Sequence, residues 1–213
     1  MKISIALKSL LGAGALTLPL LAFAESNVQT GAATATPGAT AHLDFSIVIP
    51  KILYLRVGSG SGYTTGSTMS SVNTIDLITF SPATGTVGNG TAVAGTGGDL
   101  TGGVETAAIV SNSGDVTLNA SATGALSNGS GNTIPFTQIN TVASTLTSGT
   151  ALTAPTLTNG TSSNVVLTAP PTKLISQDAK WTYSYANAAN VPAGTYGGVN
   201  VNNGRVTYTA TMP

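Results

Sequence analysis

His42 stands two residues from Asp44 and is the one histidine of the chain. A Ser-His-Asp triad would need it as base. None of the many serines sits in a nucleophile-elbow pattern, so His42 reads as a surface residue. The acids Asp44, Asp76, Asp99, Glu105, Asp115 and Asp178 are scattered. Paired carboxylates can cleave glycosides when folding brings them together, but spacing here selects no pair. No run resembles a calcium loop with alternating Asp residues. The chain has 0 cysteines, which removes thiol catalysis and Cys-based zinc sites. Gly58-Ser59-Gly60-Ser61-Gly62 lacks the lysine and helix that a phosphate loop requires, and reads as a flexible connection. No catalytic, cofactor-binding or metal-ligating set emerges, and the expectation is a protein that is not an enzyme.

Two other residue sets bear on binding. Trp181, Tyr183 and Tyr185 recur at strand spacing. They could form an exposed aromatic strip for sugars or the buried face of a sheet, and aromatics at this spacing are more often core. Asn89, Asn119, Asn128 and Asn159 each begin an Asn-x-Ser/Thr triplet. Such triplets accept glycans in eukaryotic secretion, but the leader and composition look bacterial, so no modification is expected.

The elements that must position these residues read as strands. Leu43, Phe45, Ile47 and Ile49 alternate with His42, Asp44, Ser46 and Val48, which predicts a first strand with one buried face. Pro50 interrupts it, and a second run covers residues 52–57. Further strands are expected over 75–80, 104–110, 116–120, 165–167 and 181–185, with weaker candidates around Ile134, Phe136, 142–146, Leu152 and Leu157. Asn112-Ser113-Gly114-Asp115 predicts a hairpin joining 104–110 to 116–120. Asn203-Gly204 predicts a second, with Val201 facing Val206 and Val199 facing Tyr208. No sustained helical period is present, although a short turn at 175–179 fits the local pattern. Many short strands between turn signals indicate an all-β sandwich or barrel. The expectation is a single sandwich of antiparallel strands with long Gly/Ser/Thr-rich loops.

Met1-Lys2, Lys8, the apolar stretch from Leu10 to Phe23 and the closing Ala22-Phe23-Ala24 predict a signal peptide over 1–24. Residues 25–41 read as a flexible leader and 42–213 as the sandwich domain. No second apolar run of spanning length follows, so no membrane span is expected after cleavage. Beyond the leader the basic residues are Lys51, Arg56, Lys173, Lys180 and Arg205, with no patch among them, which argues against nucleic acid. Charged residues make up 7% of the chain, against an ordinary value of about 25%. Such a surface permits association without specifying it.

Trp181-Thr-Tyr-Ser-Tyr185, Val191-Pro-Ala-Gly-Thr-Tyr196 and Arg205-Val-Thr-Tyr-Thr-Ala-Thr-Met-Pro213 resemble the closing strands of bacterial surface sandwiches, in particular chaperone–usher pilins and their relatives. The strand Leu43-Asp-Phe-Ser-Ile-Val-Ile49 adds to the likeness, while the lack of a cysteine pair departs from common pilin patterns. The resemblance implies a structural or adhesive subunit that self-assembles or joins related surface subunits by strand donation, with an export chaperone as partner. It implies that the leader docks through Val28, Thr30, Ala32 and Thr34, although these side chains are small, and an unassembled terminus is an equal alternative. The competing expectation is a monomeric exported module that binds glycans through Trp181, Tyr183 and Tyr185.

Overall fold

The structure, a computed structural model, describes residues 26–33, 38–63, 74–162 and 164–213. The expected signal peptide and Thr34 lie outside the described residues. The chain divides into two compact units, Met1–Ile49 and Pro50–Pro213.

In the first unit the described residues form neither strand nor helix. The strand expected over 42–49 is therefore not part of a sheet here. Leu43, Phe45, Ile47 and Ile49 are each at least 76% exposed. Alternation makes a segment competent for a sheet, but a strand exists only once a neighbour completes its hydrogen bonds.

The second unit is all-β, a sandwich of antiparallel sheets. Its strands are β1 (Leu53–Val57), β2 (Ile78–Thr79), β3 (Val93–Ala94), β4 (Thr96–Gly97), β5 (Val104–Ser111) and β6 (Val116–Ala122), then β7 (Leu126–Ser127), β8 (Thr133–Ile134), β9 (Ile139–Ser144), β10 (Val165–Leu167), β11 (Ile175–Tyr185) and β12 (Val206–Thr211). A single 3-10 turn, Phe136–Gln138, precedes β9. The larger sheet runs β1-β5-β11. β3 continues the β5 edge of β11 at Ser184–Tyr185, and β9 takes the opposite edge. The second sheet is β10-β6-β12, and β2-β4 and β7-β8 form small two-stranded ribbons.

Period two explains which side chains meet. Ala107 and Ile109 of β5 and Ala179, Trp181, Tyr183 and Tyr185 of β11 face Val116, Leu118 and Ala120 of β6. Leu152 and Leu157 reach the core without belonging to strands. The Trp181 indole N–H donates to the Leu152 carbonyl at 2.7 Å, satisfying the polar atom of a fully buried ring.

Three local expectations are corrected. Residues 112–115 do not close a hairpin, because β5 and β6 belong to different sheets. Asn112 holds this corner, accepting from Ile52 N–H at 2.7 Å and donating to the Pro50 carbonyl at 2.9 Å. The turn therefore swings the chain across the core, which lets both apolar faces point inward. The segment before Asn203-Gly204 is not a strand either. Asn200, Asn202 and Asn203 all have positive φ, and Val199 and Val201 are exposed. Successive left-handed residues wind this segment into turns, and Val206 pairs with Ala122 of β6 instead. The stretch 175–179 extends as the first half of β11.

Candidate functional site: an apolar cleft flanked by strand edges

β1 and β12 lie close together on neighbouring sheets, and among the described residues no ladder joins them. Each pairs on one side only, β1 with β5 and β12 with β6. An open cleft of about 980 Å³ runs through this side of the second unit. Leu55 and Val57 line it from β1, Val206 and Tyr208 from β12, and Tyr183 and Tyr185 from β11. Ile75, Leu77 and Phe80 form one rim, and Ile134, Phe136, Ile139 and Tyr196 extend the apolar wall. The volume sits at the upper end of ordinary ligand pockets.

Sequence reasoning passed over the polar group in this wall. Glu105 occupies the inward parity of β5 in series with Ala107 and Ile109, and it is 5% exposed. An acid at a core parity was the available signal. Glu105 and Asp76 pack on the same side of Gly58, where a Cβ would lie 2.8 Å from Glu105 Oε2 and within contact of Asp76 Oδ2. Asp76 accepts from the Ser59 N–H and, at 2.8 Å, from the Ser59 hydroxyl. The Asp99 N–H donates to Glu105 Oε2 at 3.2 Å. Arg56 pairs with Asp99 at 3.0 Å and donates to the Gly58 carbonyl at 2.8 Å.

Burial raises the Glu105 carboxyl to about 7, with the Asp99 N–H bond opposing and the Asp76 and Asp99 charges adding to the rise. Burial also pushes against ionisation of Asp99. Thr106 and Arg56 outweigh it and hold Asp99 below the ordinary carboxylate range. The Tyr183 and Tyr208 hydroxyls meet at 2.9 Å. Burial, joined by the Tyr208 neighbour, raises Tyr183 well above its ordinary value, and burial raises Tyr208 to about 12.

The other sequence-selected residues fall elsewhere. Trp181 is fully buried in the core and presents no exposed strip, while Tyr183 and Tyr185 are buried and reach the cleft wall. Val28, Thr30 and Ala32 are exposed in the first unit, as are His42 and Asp44. Ser59 anchors the glycine-rich loop to Asp76. Asp178 accepts from the N–H and hydroxyl groups of Thr147 and Ser148, fixing the loop after β9. The Asn side chains of three glycan-type triplets hold turns or neighbouring backbone: Asn89 accepts from Thr91, Asn128 from Ser130 and Asn159 from Phe136. Among the described residues no cluster of His, Cys, Asp and Glu could hold a metal ion, and no helix is long and apolar enough to cross a membrane.

A scan against protein-family models and searches of curated proteins and solved structures return no match to this chain.

Proposed function

We propose that this chain is a non-enzymatic, exported subunit of a bacterial cell-surface fibre or secreted matrix, built to join further copies of itself. One observation carries the reading: an exposed segment with apolar residues at alternate positions coexists with an apolar cleft between two strand edges that pair with no further strand among the described residues. Leu43–Ile49 of one copy fills the cleft of the next and pairs with β1 or β12. Seven extended residues span about 23 Å, comparable with the six-residue β12. Leu43, Phe45, Ile47 and Ile49 fall on one face of the added strand, and full burial of each such side chain contributes about 1.5–3 kcal/mol. Main-chain hydrogen bonds to the free edge supply the rest, as in other strand additions. The donor is thus this segment rather than the small residues at 28–34, whose side chains offer little apolar area. Before assembly, an export chaperone covers the cleft.

The test is light scattering and electron microscopy of the processed chain, with Phe45→Asp and Ile47→Asp variants. Polymers that disappear in the variants, and that a free peptide of residues 42–51 blocks, support the reading. Polymers unaffected by both variants defeat it. A monomer that binds saccharide through the cleft, weakened by Tyr196→Ala, would instead establish the monomeric glycan-binding reading, which the aromatic wall of the same cleft favours.

A further inference from the structure

Four asparagines of the chain precede a glycine: Asn89, Asn128, Asn159 and Asn203. Such a pair is open to attack of the main-chain nitrogen on the asparagine side chain, because glycine has no Cβ to obstruct the approach. The fold treats the four pairs differently. The Gly90 N–H donates to the Asn187 carbonyl at 2.9 Å, the Gly129 N–H to the Ser127 hydroxyl at 3.0 Å and the Gly204 N–H to the Val201 carbonyl at 2.8 Å. The Gly160 N–H makes no such bond among the described residues. We propose that Asn159–Gly160 is a site of spontaneous covalent modification, at which the asparagine converts through a cyclic imide to aspartate and isoaspartate.

The chemistry needs only water. The Gly160 nitrogen loses its proton to water and attacks Asn159 Cγ. The N–Cγ bond forms, the Cγ–Nδ2 bond breaks, and Nδ2 leaves as ammonia with a proton returned by water. Water then opens the imide at one carbonyl or the other, giving the aspartate or the isoaspartate. A nitrogen already held as a donor must first give up its bond, and Gly90, Gly129 and Gly204 are so held. Two further features favour Asn159. The Phe136 N–H donates to its Oδ1 at 2.8 Å, the atom on which negative charge builds as the nitrogen adds. A Cβ on Gly160 would meet nothing within 4 Å, so the approach to this pair is open. Asn203, by contrast, donates its Nδ2 to the Ala125 carbonyl at 3.0 Å, which retains the group that would have to leave. The consequence reaches the cleft. Phe136 and Leu157 line it, while the Gly160 carbonyl accepts from the Ala122 N–H of β6 at 3.0 Å. The aspartate keeps an acceptor for Phe136. The isoaspartate inserts an extra carbon into the main chain between Leu157 and the β6 contact, and so displaces one against the other.

The site stands apart from the assembly reading, and either can fail alone. The folded parent chain is incubated in mildly alkaline buffer, and the peptides that contain the four asparagines are followed by mass spectrometry, with isoaspartate scored by enzymatic methylation. Asn159 should convert at least about tenfold faster than Asn89, Asn128 or Asn203, within the reach of one well-placed donor acting on a developing charge. In urea, where no fold distinguishes the pairs, the four rates should converge. Gly160→Ala, which the open space accommodates, should strongly slow conversion at Asn159 and leave the other three rates unchanged. An Asn159 rate no higher than the others in the folded chain, or a preference for Asn159 that persists undiminished in urea, overturns the proposal. If Gly160→Ala fails to fold, the comparison of the folded with the urea-unfolded parent decides.

Discussion

Tyr183 and Tyr208 join hydroxyls at 2.9 Å across the two main sheets, one from near the C-terminal end of β11 and the other from β12. The bond lets two phenols line an apolar interior without an orphaned polar atom. Removing either hydroxyl alone strands the other. Tyr183→Phe and Tyr208→Phe should each destabilise by about 1–3 kcal/mol, whereas the double variant should cost clearly less than the sum. Urea unfolding of the four proteins measures the coupling, and strict additivity would show that the bond contributes nothing.

Trp181 is the largest of the fully buried side chains, and its ring lies 5.4 Å from that of Tyr208. Trp181→Ala should cost about 3–5 kcal/mol through the cavity it leaves, with a further loss from the freed Leu152 carbonyl. Trp181→Phe keeps most of the volume but not the N–H donor, and should fall between the two. Chemical denaturation with tyrosine fluorescence as readout ranks them. A Trp181→Ala protein as stable as the parent would place this ring outside the core.

Asp178 and Glu105 give opposite acid responses. Burial works against the Asp178 charge, but the bonds from Ser148 and Thr147 prevail and lower its carboxyl to about 2. Its stabilisation is complete above the ordinary value of 3.8 and is lost as pH falls from there to about 2. Glu105, raised from 4.5 to about 7, binds its proton more tightly when folded. Its contribution is complete below 4.5 and is lost as pH rises from there to about 7. Melting temperature against pH should therefore fall on both flanks. Asp178→Asn should flatten the acid flank and Glu105→Gln the neutral one, each leaving the other unchanged.

Asn187 is fully buried with φ of 52° and organises the loop between β2 and β3. Its Oδ1 accepts from Gly88 N–H at 2.8 Å, and its Nδ2 donates to the Thr86 carbonyl at 2.7 Å. Asn187→Ala should lose both bonds and retain the left-handed strain. Asn187→Gly should lose the bonds but relieve the strain, and so be more stable than the alanine variant by about 1 kcal/mol. Thermal melts of the two variants make the comparison, and equal stability would assign the whole effect to the amide.

The faces of strands were legible from alternation, but their partners were not. Val116, Leu118 and Ala120 were marked as one buried face, and they are. The same pattern could not say that β6 pairs with β12 and β10 rather than with β5, because parity identifies an inward side and says nothing of which sheet supplies it. Turn chemistry misled for a related reason. Asn112-to-Asp115 and Asn203-Gly204 do reverse or redirect the chain, yet a tight turn closes a hairpin only when both arms remain extended in one sheet. Leu43–Ile49 has the alternation of a core strand and yet lies exposed, because alternation makes a segment competent for a sheet without supplying its neighbour. The cleft was invisible for the same cause: it is defined by two edges distant in sequence, β1 and β12. Parity did mark Tyr183 and Tyr185 of its wall, and it could also have flagged Glu105, an acid at a core position.

The amide of Asn112, bonded on either side of Lys51, stands where the exposed segment enters the folded unit. In a chain of linked copies, tension on that segment would reach Pro50–Ile52 before it reached any sheet. Asn112 is then a mechanical anchor point, and the five-residue ladder of β1 with β5 is the next part to bear load. Tensile strength of such a filament would be set at this junction, by a side chain that is not part of the donated segment itself.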